Sequence, residues 1–160
     1  MIAFDSQTLM FGVQASGHQG REGLAERARK YIRHLDEQGE LVMVPAPALA
    51  EYLAGFPVEE HEAQLRVIQK RFIVPALDVG AARIAGELLA NRPHIKNLRA
   101  TDYKGERQRV SVDALVLAVA IANNAVKIIS NDKRLPKLAA GRIQVEEIPE
   151  VPIREDFMEP

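Results

Sequence analysis

The chain has 160 residues, 47% of them hydrophobic and 27% charged, with a formal net charge of -1. That profile predicts one soluble globular domain and gives no overall basic footprint of the kind that binds nucleic acid non-specifically. There are no cysteines, so disulfides and thiolate-held metals are excluded, and any metal must be held by oxygen or imidazole. No apolar run has membrane-spanning length, and Asp5 interrupts the first apolar stretch where a signal peptide would need to continue. A cytoplasmic location is expected.

In chain order, a short β-prone run at 2–4 ends on Asp5, and a Gly-, Ser- and Gln-rich stretch at 12–20 reads as a loop. Residues 23–38 carry Leu24, Ala28, Tyr31, Ile32 and Leu35 at helical spacing. A second strand is expected at 41–44. A short helix at 48–54 follows Pro45 and Pro47, and an amphipathic helix is expected at 59–71. A third strand is expected at 72–74, and then a helix at 78–91 opened by Asp78 as an N-cap. The charged stretch 92–109 reads as a loop, and 111–123 is a helix so apolar that it must be buried. Two more strands, 126–129 and 143–148, complete the pattern, and residues 150–160 form a loosely packed tail after a single domain at 1–149. Strand–helix alternation of this kind predicts an α/β fold with a mostly parallel sheet and helices on both faces.

Ligands of an open α/β sheet collect beyond the carboxyl ends of its strands. Four acids fall near those ends: Asp5 after the first strand, Glu51 in the helix after the second, Asp113 at the start of the apolar helix, and Asp132 after the strand at 126–129. Each has a plain structural explanation when taken alone. Asp113 could be a first-turn acid favoured by the helix dipole, with Ser111 as N-cap. Asp132, in "SND", could be a turn residue, and Glu51 could be a solvated helix residue. Asp5 is the hardest to explain so, because Asp is depleted in strands. Gathered at one sheet edge, four carboxylates would repel one another unless a cation bound them, and an oxygen-only cluster suits Mg²⁺ or Mn²⁺.

At these residues the chain resembles the PIN-domain nucleases, especially the small prokaryotic VapC-type toxins. The likeness rests on "IAFDSQTLM", "VPAPALAEYLAG", "FIVPALDVGAARIAGELLA" and, most specifically, "SVDALVLAVAIANNAVKIISNDKRL". The resemblance implies a three-layer α/β/α fold with a parallel five-stranded sheet, and divalent-metal-dependent cleavage of RNA. It also implies a homodimer and an antitoxin partner. Carried over residue by residue, the family's acidic quartet falls on Asp5, Glu51, Asp113 and Asp132, supported by Ser6, Ser130 and Asn131. The stretch 92–109 and the tail match no part of the family pattern.

Asp5, Asp113 and Asp132 are then the expected metal ligands, with Glu51 as a ligand or an orienter of the attacking water. Lys104, Arg107 and Arg109, just ahead of the acid-led helix, are expected to position the phosphate backbone, although a solvated loop explains them equally well. Lys133 and Arg134, beside Asp132, are weaker candidates. The four histidines are read as surface residues. A haloacid-dehalogenase-type phosphatase would need a second Asp where Gln7 stands. A dinucleotide site would need a G-x-G-x-x-G spacing that "GVQASGHQG" does not have. Two alternatives remain: a housekeeping RNA-processing nuclease in place of an antitoxin-controlled toxin, and a catalytically weak PIN-like module that binds RNA or protein.

Overall fold

A computed structural model describes residues 1–14, 19–104 and 107–151, apart from the Arg107 side chain. Four parallel strands form one sheet: β1 (Ile2–Phe4), β2 (Val42–Met43), β3 (Lys127–Ile129) and β4 (Gln144–Glu146), in the order β2-β1-β3-β4. β1 is central and wholly buried, which is why it is apolar throughout instead of alternating. Ile2 pairs with Val42 on one side and Lys127 on the other, and Phe4 lies level with Ile129.

The strand at 72–74 is reduced to a single bridge, Met43 to Ile73, so the described sheet has four strands where five were expected. Val44 N–H donates to the Ile73 carbonyl and Ile73 N–H to that of Val42. Pro75 has no N–H to give to the next carbonyl of β2, so although its own carbonyl accepts Ala46 N–H at 3.1 Å, the ladder stays incomplete.

Between β1 and β2 lie α1 (Ser6–Val13) and α2 (Glu22–Glu37). α1 occupies the first two residues of the expected 12–20 loop; within that loop, residues 15–18 lie outside the described set. Gly12 is where α1 meets α2, since a Cβ there would overlap the Ile32 side chain. α2 buries Ala25, Ala28, Tyr31, Ile32 and Leu35 along one stripe. It ends in a Schellman turn: Glu40 N–H reaches the Leu35 carbonyl, Gly39 N–H reaches that of Asp36, and Gly39 has the left-handed φ of 67° that the turn requires.

β2 leads to α3 (Ala46–Leu53), a short 3₁₀ turn (Val58–Glu60), α4 (His61–Arg71), α5 (Val79–Ala90), α6 (Arg92–Thr101) and α7 (Arg107–Ala122). α8 (Leu135–Ala139) lies between β3 and β4. Asp78 caps α5 as expected, accepting from Ala81 N–H at 2.8 Å. The stretch 92–109 is not one loop. Asn91 accepts from His94 N–H and Pro93 occupies the first turn, the two signals that start α6. α7 likewise starts at Arg107, so Ser111 lies within the helix and is no N-cap. With the strand order β2-β1-β3-β4, the general right-handedness of parallel crossovers assigns α1–α2 and α3–α7 to opposite faces of the sheet. A single continuous apolar core joins both sets to the strands, and α5 and α3 both pack on α7.

The tail expected at 150–160 is described only to Val151. There Glu150 pairs with Arg27 at 3.1 Å on the surface, after a buried Ile148. Among the described residues, no helix is long and apolar enough to cross a membrane.

Candidate functional site

The sheet changes winding direction between β1 and β3, and their carboxyl ends deliver Asp5 and Ser130 side by side. Asp5 is only 7% exposed. It caps α1, accepting Thr8 N–H at 2.7 Å, and its other oxygen accepts the Ser130 hydroxyl. Thr8, itself buried, donates its hydroxyl to the Ile129 carbonyl at 2.8 Å and so locks α1 to β3. Ser130 Oγ in turn accepts Asp132 N–H at 3.0 Å.

Asp113 lies in the second turn of α7, not the first, so a dipole-favoured first-turn acid does not explain it. Its carboxylate accepts the Tyr103 hydroxyl at 2.7 Å. Tyr103 is 1% exposed, in the turn between α6 and α7. The neighbouring Asp102 pairs with Lys137 of α8, which holds that turn in place. Glu51, exposed on α3, accepts the Ser6 hydroxyl at 3.0 Å. Asp132 accepts Arg134 N–H at 2.9 Å and is forked by the same residue's guanidinium, with Nε at 2.8 and 3.0 Å from the two oxygens. The Arg134 guanidinium also lies 4.8 Å above the Tyr103 ring.

Asp5, Ser6, Glu51, Asp113, Asp132, Arg109 and Arg134 line one open cleft of about 560 Å³, walled on one side by Met10 and Phe11. The carboxylates feel one another. Burial pushes the Asp5 carboxyl above its ordinary range, and the charge of Asp132 adds to the rise. Burial, then the charges of Asp132 and Glu51, push Asp113 up to about 6, against the Tyr103 hydrogen bond. Burial alone would raise Asp132 too, but hydrogen bonds and charge from Arg134, with help from Arg109, bring it below the usual carboxylate range.

Elevated acids crowded at a sheet edge are anions short of positive charge. All the donors are hard oxygens, the set that Mg²⁺ or Mn²⁺ takes, so the residues fit such an ion in kind and in charge. As they stand, however, no three acidic or histidine side chains among the described residues converge on one point, and Asp132 is engaged by Arg134.

Among the other expected site residues, Asn131 turns away from the cleft: its amide oxygen accepts Ile148 N–H at 3.0 Å and ties the β3 exit to the end of β4. Lys104 is exposed and outside the cleft wall, and the Arg107 side chain lies outside the described residues. Sequence reasoning overlooked Thr8, Tyr103 and Arg21, the last of which also lines the cleft. Thr8 was readable as the third residue after a capping Asp; nothing in the spacing marks Tyr103 as a partner of Asp113.

The family model described as "PIN domain" matches residues 16–141. That span contains Glu51, Asp113 and Asp132. Asp5 precedes it and joins them through the β1–β3 pairing. Two solved structures share the fold. One is of VapBC2 from Rickettsia felis bound to a DNA fragment from their promoter, at 16% identity and a TM-score of 0.64, covering 92% of this chain and 98% of that one. The other is of FitAcB from Neisseria gonorrhoeae, at 16% identity and a TM-score of 0.55, covering 92% and 97%. No curated protein matches the chain in sequence.

Proposed function

Since the chain belongs to the PIN-domain family, we propose that it is a divalent-metal-dependent endoribonuclease, the toxin of a toxin–antitoxin pair. One observation carries this reading: acids from four separate segments, Asp5, Glu51, Asp113 and Asp132, line a single cleft. An antitoxin partner, a homodimer and a cytoplasmic location go with the VapC-type resemblance, and the fold likeness to the VapBC2 structure supports the first.

Asp5, Asp113 and Asp132 would hold Mg²⁺ or Mn²⁺. When bound, the ion makes a nucleophile of water near neutral pH and offsets charge on the phosphate. The chain's own residues do the rest. Glu51, fixed by Ser6, stands at the exposed side of the cleft, where its carboxylate orients the attacking water and takes its proton as the water oxygen bonds to phosphorus; the bond from phosphorus to the leaving ribose oxygen breaks, and that oxygen takes a proton from solvent. Ser130 keeps Asp5 facing the cleft and holds the backbone of Asp132. Arg109 on the cleft wall, with Lys104 and Arg107 beyond it, positions the phosphate backbone by charge.

The Asp132–Arg134 pair favours the other reading, a catalytically weak module, because it engages one of the acids. The two are separated by an RNA cleavage assay with Mg²⁺ or Mn²⁺. Asp5→Asn and Asp113→Asn each lower the rate by about a hundredfold or more, with circular dichroism unchanged. Equal cleavage by the wild type and both variants would refute the nuclease assignment.

A further inference from the structure

The position of Arg134 calls for its own explanation. Its backbone N–H and forked guanidinium take up both oxygens of Asp132. A carboxylate offers about four lone-pair sites, and few are left here for a second cation. The guanidinium is also held from behind by the Tyr103 ring, and Tyr103 is fixed by its hydrogen bond to Asp113. Arg134 therefore sits between two of the acids to which the proposed nuclease reading assigns the metal. It is no flexible surface arginine: its side chain is 21% exposed and that of Asp132 is 14%. The pair spans only two residues, so little chain entropy opposes its closing.

We propose that Arg134 is a built-in counter-cation that competes with the divalent metal for Asp132, so that metal binding displaces the guanidinium. The inference rests on the proposed metal-dependent reading. In the metal-free protein Arg134 relieves the repulsion among the acids. In the metal-bound protein that relief comes from the ion, and the arginine is released into the cleft that it already lines. The apparent metal affinity of the wild type is lowered by the fraction of time that the pair is closed.

Mn²⁺ titration of the full chain, read by electron paramagnetic resonance of the free ion, tests this without any assay of cleavage. Arg134→Met should bind Mn²⁺ about tenfold more tightly than the wild type, and Arg134→Lys, which keeps the charge but loses the fork and the stacking, about threefold more tightly. Without metal, Arg134→Met should melt below the wild type, and Mn²⁺ should raise its melting temperature by more. A measurement on the wild type covers the case of a variant that does not fold: the Arg134 Nε–H resonance should shift and exchange faster with water as Mg²⁺ saturates. Folded variants that bind Mn²⁺ no more tightly than the wild type overturn the competition and leave the metal-dependent reading intact. An unmoved Arg134 resonance at Mg²⁺ saturation does the same. Absence of Mn²⁺ binding by the wild type and both variants overturns the metal-dependent reading, and the competition with it.

Discussion

The Ser130 hydroxyl donates to the Asp5 carboxylate, 125 residues away in the chain, and accepts the N–H of Asp132, so one small side chain joins the two acids. Ser130→Ala removes the donor from a buried carboxylate and leaves the Asp132 N–H without its partner. A loss of about 1–3 kcal/mol is expected in urea denaturation at pH 7, with the Asp5 carboxyl rising further than burial already takes it. A midpoint equal to that of the wild type would show that the hydroxyl is replaceable by water.

Asp113 fixes the direction of a pH effect. Its carboxyl is raised from 3.8 to about 6 in the folded chain, first by burial. The folded state therefore holds the proton more tightly than the unfolded one. The stability this contributes is complete below the unfolded value and lost as pH rises through about 6. Metal-free wild type should gain stability on going from pH 7 to pH 5. Asp113→Asn, which has no proton to take up, should be more stable than the wild type at pH 7 by on the order of 2 kcal/mol, with the difference narrowing by pH 5 and closing only below the unfolded value of 3.8. Thermal melts of both proteins across this range measure it, and parallel pH profiles would contradict it.

Tyr103→Phe keeps the ring beneath Arg134 and deletes only the donor to Asp113. About 1 kcal/mol of stability should go, and the Asp113 carboxyl should rise, since this hydrogen bond is what holds it down. Two-dimensional NMR of carboxyl carbons reads the change directly. An Asp113 titration midpoint that stays put would show that solvent replaces the phenol.

The α1–α2 contact offers a test remote from the acids. Gly12→Ala should cost about 1 kcal/mol or more, because the added methyl overlaps the end of the Ile32 side chain. Ile32→Val removes that terminal methyl. The double variant should therefore be more stable than the sum of the two single losses allows, and strict additivity in a denaturation cycle would show that the helices simply move apart.

The strands were legible wherever apolar runs are buried on both sides, as at Ile2–Phe4 and Lys127–Ile129, and the long helices wherever a stripe repeats, as in α2 and α5. Reading failed where local signals conflict with the packed outcome. Residues 72–74 have the composition of a strand, but a proline limits their pairing to one bridge. The residues of α6 lie in a charged stretch, which suggested a loop; yet Ile95 and Leu98 are buried and Asn91 provides the cap. At the cleft, the acids could be listed from their places after strands. Their partners could not: Tyr103 reaches Asp113 only because α6 and α8 fix the turn that carries it, a tertiary fact without a sequence spacing.

The pairing of Ile2 with Lys127 sets a timetable for synthesis. At roughly 5–20 residues per second, a ribosome adds the partner of the first strand many seconds after that strand has left the tunnel, and Asp132 later still. Until then Asp5 lacks Ser130, and a chain cut short before that point has neither the β1–β3 pairing nor the fourth acid. On the proposed ribonuclease reading, the chain gains its complete acidic centre only after most of the messenger that encodes it has been read.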